Sequence, residues 1–290
     1  MAILQNKKVS VVVPNYNYGK YVKKRIDSIL KQTYPIYELI VLDDASTDGS
    51  AEILKKMVLD MKVEKPEMRV KYVGNIENSG KAMKQWKKGF ELAKGDFVWI
   101  AEADDLCSRR FLEETMKGFN DPKVVISYTE SKIINEQGLI IAPSFRWSRD
   151  KERTGHYKKS YIKDGKDEIR EIMAIRCTIP NVSGVVFRKK AIKMDDLERA
   201  IGFSQVGDWY LYIKLLEKGK ISYNRKALNK FRIHEGSKTA DSKKGAEHYK
   251  EILSMHNYFK NSYDLDERIL GSMSTEEKRV KGKHGIIGEV

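Results

Sequence analysis

A chain of 290 residues with 41% hydrophobic and 33% charged side chains can bury a sizeable core, as one large domain or a domain with a small appendage. No run approaches the roughly 18 apolar residues of a membrane span, and MAILQNKKVS reads as entering a strand directly, without a secretory signal. Lys and Arg number 55 against 41 Asp and Glu, a net charge of +14. That balance favours anionic partners (nucleic acid, an anionic membrane surface, phosphate-bearing substrates) without choosing among them, and a basic surface that only keeps the chain soluble reads equally well. Cys107 and Cys177 make no disulfide framework, so a reducing compartment, the cytoplasm, is the expected setting.

From Val9 to about Tyr128, strand-like runs alternate with helix-like segments, the pattern of a largely parallel sheet covered by helices. Val9 to Val13 reads as the first strand, closed by Pro14. Val22, Ile26, Ile29 and Leu30 then recur at helical spacing, and Tyr37 to Leu42 supplies the second strand. After Asp43 and Asp44 the spacing predicts a helix over 50–59, a strand over 70–73, and a helix whose inner face carries Met83, Trp86, Phe90 and Ala93. Asp96 to Ala101 is the fourth strand, followed by a helix over about 109–119 and a strand over 124–128.

The second part is less regular. Asn135-Glu136-Gln137-Gly138 marks a hairpin, and the polar, aromatic, basic stretch from Ser144 to Lys166 reads as a loop. Helix-like 168–175, strand-like 182–187, helix-like 209–217 and strands near 221–223 and 228–233 complete a mixed α/β core. Beyond Gly236 the chain turns polar, with one amphipathic helix expected over about 246–259. The last 20 or so residues read as poorly ordered, or as the stub of a longer protein cut at a linker.

In open α/β sheets, ligands bind beyond the carboxyl ends of the strands, where loops converge and helix N-termini present free N–H groups. The first strand ends in Pro14-Asn15-Tyr16-Asn17, the second in Asp43-Asp44-Ala45-Ser46-Thr47-Asp48-Gly49, and the fourth in Glu102-Ala103-Asp104-Asp105. A parallel sheet brings all three to one edge. An aromatic ring and amides beside one carboxylate pair suit a nucleoside base and ribose, while a second acidic cluster suits a divalent metal bridging phosphates. Taken alone, Asp43 to Gly49 reads as a helix cap and turn. Glu102, Asp104 and Asp105 differ, because like charges crowded at the end of a buried strand repel unless a cation or donors offset them. A cation is the expected solution there.

Other templates fail: no G-x-x-x-x-G-K-[ST], no G-x-G-x-x-G after the first strand, no G-x-S-x-G, and no partner for either cysteine at metal-ligand spacing. The run VSVVVPNYNYGKYVKKRIDSILKQTYPIYELIVLDDASTDGS resembles the N-terminal signature of family-2 inverting glycosyltransferases of the GT-A fold, and NSGKAMKQWKKGFELAKGDFVWIAEADD resembles their next segment. NVSGVVFRKKAI, VGDWYLYIKLLEKGKISY and LNKFRIHEGS are similar to the acceptor-side half of the same enzymes, particularly those that build bacterial surface polysaccharides. The resemblance covers about Val9 to Ser237.

The resemblance implies an α/β fold with a Rossmann-like nucleotide-binding half, a mixed central sheet and an acceptor-side half. It implies a domain over 1–240, divided into about 1–128 and 129–240, with 241–290 a helical or flexible extension. Pro14, Asn15 and Tyr16 would lie at the base and ribose pocket, and Asp44 would accept from a pyrimidine N3–H, pointing to a UDP- or dTDP-sugar. Glu102-Ala103-Asp104 occupies the place of the family's D-x-D motif, with Glu in place of the first Asp at the ribose and Asp104 binding Mg²⁺ or Mn²⁺. Asp105 would assist the metal or cap the following helix, and His234 would make a late metal or diphosphate contact. Lys81, Lys84 and Arg232 would meet the diphosphate or, in so basic a chain, stand as surface charge, and Trp209 would stack on a sugar or pack in the core. Asp208, which by itself reads as a helix N-cap, stands where the family has its catalytic base.

The implied activity is transfer of a sugar, with inversion, to a hydroxyl of a glycan or lipid-linked glycan. The setting would be the cytoplasm or, through peripheral association, the inner face of the cell membrane, with no nucleic acid as partner. A nucleotidyltransferase with a related sheet and a non-catalytic glycan- or membrane-binding module stand as the alternatives. The first lacks its glycine-rich activating loop here, and the intact acidic set argues against the second.

Overall fold

The computed structural model describes residues 7–145, 155–234 and 245–285. Val9–Asn15 (β1), Glu38–Asp43 (β2), Arg69–Gly74 (β3) and Phe97–Ile100 (β4) form a parallel group in the order β3–β2–β1–β4. Every residue of β1, β2 and β4 is buried, as parallel strands covered on both faces require. Gly19–Leu30 (α1) and Ser50–Glu64 (α2) cover one face, where Val22, Ile26 and Leu54 meet Val9, Val11 and Val13. Ala82–Leu92 (α3) covers the other, where Trp86 and Phe90 meet Val12, Ile40 and Leu42. Gly89 lets α3 lie close, since a Cβ there would stand 2.5 Å from Val12 Cγ1.

The remaining strands are Leu106–Cys107 (β5), Val124–Ile134 (β6), Ile140–Ala142 (β7), Tyr161–Asp164 (β8), Val185–Arg188 (β9) and Lys220–Arg232 (β10). The full order is β3–β2–β1–β4–β9–β6–β10–β5, with β7 on β6 and β8 on β10. β9 runs antiparallel to both β4 and β6, so a strand from the second half of the chain separates two from the first. The sheet is therefore mixed and continuous, and a division at about 128 falls inside β6. The strands expected near 221–223 and 228–233 are one, β10, irregular in register between Asn224 and Asn229 where it follows β6. The hairpin at Asn135 to Gly138 joins β6 to β7.

Phe111–Met116 (α4), Gly165–Glu168 (α5), Met194–Gly202 (α6), Gly207–Leu216 (α7), Gly245–Ser262 (α8) and Glu267–Lys283 (α9) complete the described α-helices. The expected loop over 144–166 contains β8, and its residues 146–154 lie outside the described ones.

The reading of the last 20 or so residues as poorly ordered is also corrected over its described part. Asp266 caps α9 by accepting the Ile269 N–H (2.8 Å), and α9 buries Ile269, Met273, Glu276 and Val280. Only three of those four are apolar, too thin a stripe for the 3.6 period to stand out among charges. Ile252, Met255 and Phe259 of α8 join the core that holds Trp209 and Met173, so the two C-terminal helices are part of the main core. Phe259→Ala should therefore destabilise the protein by about 3–5 kcal/mol. Chemical denaturation would measure this, and a peripheral appendage would give a loss below about 1 kcal/mol.

Candidate active site

The loops after β1, β2 and β4 meet at one edge because the strands are parallel and in register, Asn15 beside Asp43 and Val12 beside Ile100. Asn15 Nδ2 donates to Asp43 Oδ1 (2.8 Å), Ser50 Oγ (2.9 Å) and Ser46 Oγ (3.1 Å). The residue is only 2% exposed. Its amide thus ties the ends of β1 and β2 together from inside the protein. Pro14 is likewise buried, opposite Leu42 in the sheet, whereas Tyr16 is 41% exposed at the rim. Asn17 (φ 59°) and Ala45 (φ 60°) turn both loops through the left-handed region, which costs about 1–2 kcal/mol for a residue such as alanine. Asn17 Oδ1 accepts from Thr47 N (2.8 Å), lacing one loop to the other.

Asp44 is cradled. Its Oδ1 accepts from Asn75 Nδ2 (2.6 Å), Gln85 Nε2 (2.8 Å) and Ser79 N (2.9 Å), and its Oδ2 from Ser79 Oγ (2.7 Å). Further acceptor capacity lies on Oδ2.

Beyond β4 the three carboxylates part. Glu102 Oε1 accepts from Trp86 Nε1 (2.7 Å), while the Glu102 N–H donates to Ser183 Oγ (3.1 Å). Asp104 Oδ2 faces His234 Nε2 at 3.1 Å. Asp105 turns inward, buried, and accepts the Arg232 N–H (2.8 Å). Burial first, then the Asp104 charge, pushes its carboxyl up to about 7 against the pull of Arg25. Asp105 is thus a structural support for the end of β10. It is neither an available metal ligand nor a helix cap, since β5 follows it and α4 begins only at Phe111.

Arg232 is buried as well, its Nε donating to Asp104 O (2.6 Å) and its Nη1 to Asn135 O and Glu136 O (both 2.8 Å). It clamps the acidic loop to the β6–β7 hairpin, over the Tyr21 ring at 4.7 Å. A guanidinium committed to three carbonyls is not poised for a diphosphate, which corrects that expectation. His234 packs edge-on to Tyr18 (5.6 Å) and against Tyr21 (5.2 Å), so its ring is held with Nε2 toward Asp104. The Tyr18 hydroxyl is pushed up by burial and then by Asp104, Glu102 and Asp105. Among the described residues no three His, Cys, Asp or Glu converge as a closed metal cage. A carboxylate oxygen and an imidazole nitrogen facing one another nevertheless fit Mg²⁺ or Mn²⁺ when substrate phosphate and water complete the shell.

Asp208 lies in the first turn of α7, where Gly207 allows close approach to α6; a Cβ at Gly207 would stand 2.5 Å from Ala200 O. The N-cap is Val206, so Asp208 is not the cap that its sequence context suggests. Its Oδ1 accepts the Trp209 N–H (2.7 Å), and desolvation pushes its carboxyl up to about 6. That is a value suited to a general base working near neutrality. One turn on, the buried Tyr212 hydroxyl has no partner among the described residues. Its ionisation is driven well up by burial, then by Asp208, Cys177 and Glu102. The fields of Asp208 and of the acidic loop therefore overlap at one place. Trp209 points the other way: it is 1% exposed, with Nε1 donating to Met173 O (3.0 Å) and the ring against Phe259. It is a core residue and not a sugar platform.

Lys81 Nζ donates to Ile201 O (2.5 Å), tying α3 to α6, and Lys84 is exposed on α3. The sequence reading passed over Ser79, Gln85, Tyr18 and Ser183, and took Trp86 only as core. The signal for three of these stood in NSGKAMKQW, where a serine, a glutamine and a tryptophan bring polar groups to the face toward the strand ends.

The family described as Glycosyl transferase family 2 matches this chain over residues 10–178. TuaG of Bacillus subtilis, named for a provisional role as a teichuronic acid biosynthesis glycosyltransferase, is 32% identical over 130 residues, 45% of this chain and 49% of TuaG. S. aureus TarS (1–349) in complex with UDP-GlcNAc superposes with a TM-score of 0.64 at 20% identity, over 94% of this chain and 73% of that one. The mannosyltransferase PcManGT of Pyrobaculum calidifontis, in complex with GDP-Man and Mn²⁺, gives 0.58 at 18% identity, over 98% of this chain and 76% of that one. The two structures speak for the fold alone, and it is the expected GT-A fold. The chain spans no more than about half the length of the curated relatives it matches.

The Asp208 carboxyl holds its proton more tightly in the folded protein, at about 6 against an ordinary 3.8. Its ionisation therefore opposes folding above pH ~4, in full above pH ~6. Asp208→Asn should raise the melting temperature at pH 7.5 by roughly 2–6 °C and leave it unchanged at pH 3.5. Thermal unfolding at the two pH values would check this; a carboxyl with an ordinary affinity for its proton would make the Asn variant's shift the same at both.

Proposed function

The chain belongs to glycosyl transferase family 2, and from that premise we propose that it moves a sugar, with inversion, from a UDP- or dTDP-sugar to a hydroxyl of a glycan or lipid-linked glycan. The observation that carries this reading is a partly buried carboxyl, Asp208, raised to about 6 by desolvation in the first turn of α7, with its charge and that of Glu102 both felt at the Tyr212 hydroxyl. A role in bacterial surface polysaccharide synthesis is supported by the likeness to TuaG. The fold accepts more than one base, since TarS holds UDP-GlcNAc and PcManGT holds GDP-Man. The preference for a pyrimidine therefore rests on Asp44 Oδ2 as acceptor for an N3–H. The setting we infer is the inner face of the cell membrane, where a net charge of +14 favours an anionic surface. Among the described residues no helix is long and apolar enough to cross a membrane.

In the proposed reaction Asp208 takes the proton of the acceptor hydroxyl as its oxygen bonds to the anomeric carbon and the bond to the diphosphate breaks. Trp86 orients Glu102 toward a ribose hydroxyl by holding Oε1. Asp104 and His234 would hold a divalent ion, which supplies positive charge for the departing diphosphate. The Tyr18 and Tyr21 rings fix the imidazole for that task.

Screening UDP-, dTDP- and GDP-sugars with Mn²⁺ for nucleoside diphosphate release would identify the donor and test the base together. Asp208→Asn should bind that donor normally yet turn over about 10²-fold or more slowly. The wild-type rate should fall about tenfold per pH unit below pH ~6, where Asp208 becomes protonated, and level off above it. A fully active Asn variant removes Asp208 from the mechanism.

Asp104→Ala should abolish turnover, as should chelation of the wild type, while Asp105→Ala should act mainly through stability because Asp105 supports Arg232. Undiminished turnover of the wild type in excess chelator would refute the metal role.

A further inference from the structure

Asp208 is placed by a part of the chain that the family match does not reach. The link from α6 to α7 provides no side-chain cap for α7, although the first N–H groups of any helix and the turn before it need acceptors. Three consecutive amides in this link converge on one carboxylate from α8. Glu251 Oε1 accepts the Ser204 N–H (2.6 Å), and Oε2 accepts the Gln205 N–H (2.8 Å) and the Val206 N–H (3.2 Å). Charge-assisted bonds of this kind are among the stronger ones a protein makes. α8 is itself immobilised: Ile252, Met255 and Phe259 are in the core, and His256 is buried, with Nε2 donating to Ile175 O (2.9 Å) and Nδ1 against Glu277 Oε1 (2.7 Å). The grip continues along α7, where Trp209 packs on Phe259 and Lys214 donates to Tyr258 (2.7 Å).

We propose that Glu251 is a positioning residue for Asp208: by fixing Ser204 to Val206 it sets the start of α7, and with it the line along which Asp208 meets the acceptor hydroxyl. The inference rests on the reading of Asp208 as the base. Geometry is where such a residue acts, since displacement of a base by about 1 Å is enough to cost up to 10²-fold in rate. The donor pocket, built from β1, β2, α3 and the acidic loop, makes no contact with Glu251 among the bonds described. Donor affinity should therefore be indifferent to it.

The test compares Glu251→Ala, Glu251→Gln, Asp208→Asn and the double variant Glu251→Ala/Asp208→Asn. Nucleoside diphosphate release would be followed with the sugar nucleotide that the wild type turns over in the screen above, well below each melting temperature. Glu251→Ala should lower kcat about 10- to 100-fold and leave the donor KM within about twofold. Glu251→Gln, which keeps one acceptor oxygen, should recover part of the loss and carries the test if the Ala variant does not fold. In the Asp208→Asn background the Glu251 change should add little, because a misplaced base that is already disabled cannot be disabled twice. A folded Glu251→Ala with wild-type kcat overturns the positioning role while an inactive Asp208→Asn leaves the base standing. Fully multiplicative losses in the double variant also overturn it. A wild-type rate for Asp208→Asn overturns both.

Discussion

Three carboxylates within four residues, at the end of a strand with no exposed position, are the constraint on which the rest of the site depends. Two like charges about 4 Å apart repel by roughly 4 kcal/mol at the effective dielectric of a protein surface, so each must be given its own donor. The chain does this by direction: Glu102 toward the Trp86 indole, Asp104 toward His234, and Asp105 inward to the Arg232 N–H. A fourth participant lies deeper. The Arg25 guanidinium is fully buried over the Trp99 ring at 5.0 Å, with no hydrogen-bond partner among the described residues, and its charge steadies Asp105 from a distance. A buried cation and a buried carboxyl tolerate one another better than either tolerates being alone.

The sheet makes this arrangement possible. β9 inserts antiparallel between β4 and β6, and the 13-residue β10 follows β6 in parallel, with register shifts on the way, so its far end emerges beside the acidic loop. Arg232 and His234 arrive there because of that length. Arg232 then locks the loop to the β6–β7 hairpin through carbonyls, a structural duty performed by a residue whose charge alone suggested a ligand contact. On α7, Asp208 is left partly exposed while its neighbour Trp209 is turned into the core. A helix allows this because successive residues point about 100° apart.

Much of the nucleotide-side half was legible. The continuous apolar runs of β1, β2 and β4 are what both-faces-buried parallel strands look like, and their polar ends marked the edge where ligands meet. Asp44, Glu102, Asp104, Asp208 and His234 were all singled out from sequence; of these, Asp44 follows β2, Glu102 and Asp104 follow β4, and His234 faces Asp104 at that edge. Arg232 and Asp105 are held by the protein where ligand or metal contacts were expected, and Trp209 takes the core role that was one of its two expected ones, for a common reason: residue type says what a side chain is able to do, while burial decides whether ligand or protein receives it. The cradle around Asp44 was hidden because Asn75, Ser79 and Gln85 are ordinary polar residues until the fold directs them at one carboxylate.

The C-terminal segment shows the division most clearly. Helical spacing in 246–259 was visible, but α9 has too few apolar positions to announce itself, and nothing local in Glu251 distinguishes it from a solvated surface acid. By itself the sequence determined the alternation of strands and helices, the family and the acidic strand end, because these depend on periodicity and short-range chemistry. Tertiary structure alone decided the antiparallel insertion of β9, the inward turn of Asp105, the conversion of Arg232 into a clamp and the grip of α8 on α7. Each of those follows from which surfaces are left to bury once the strands have paired, a global outcome that no local window of residues contains.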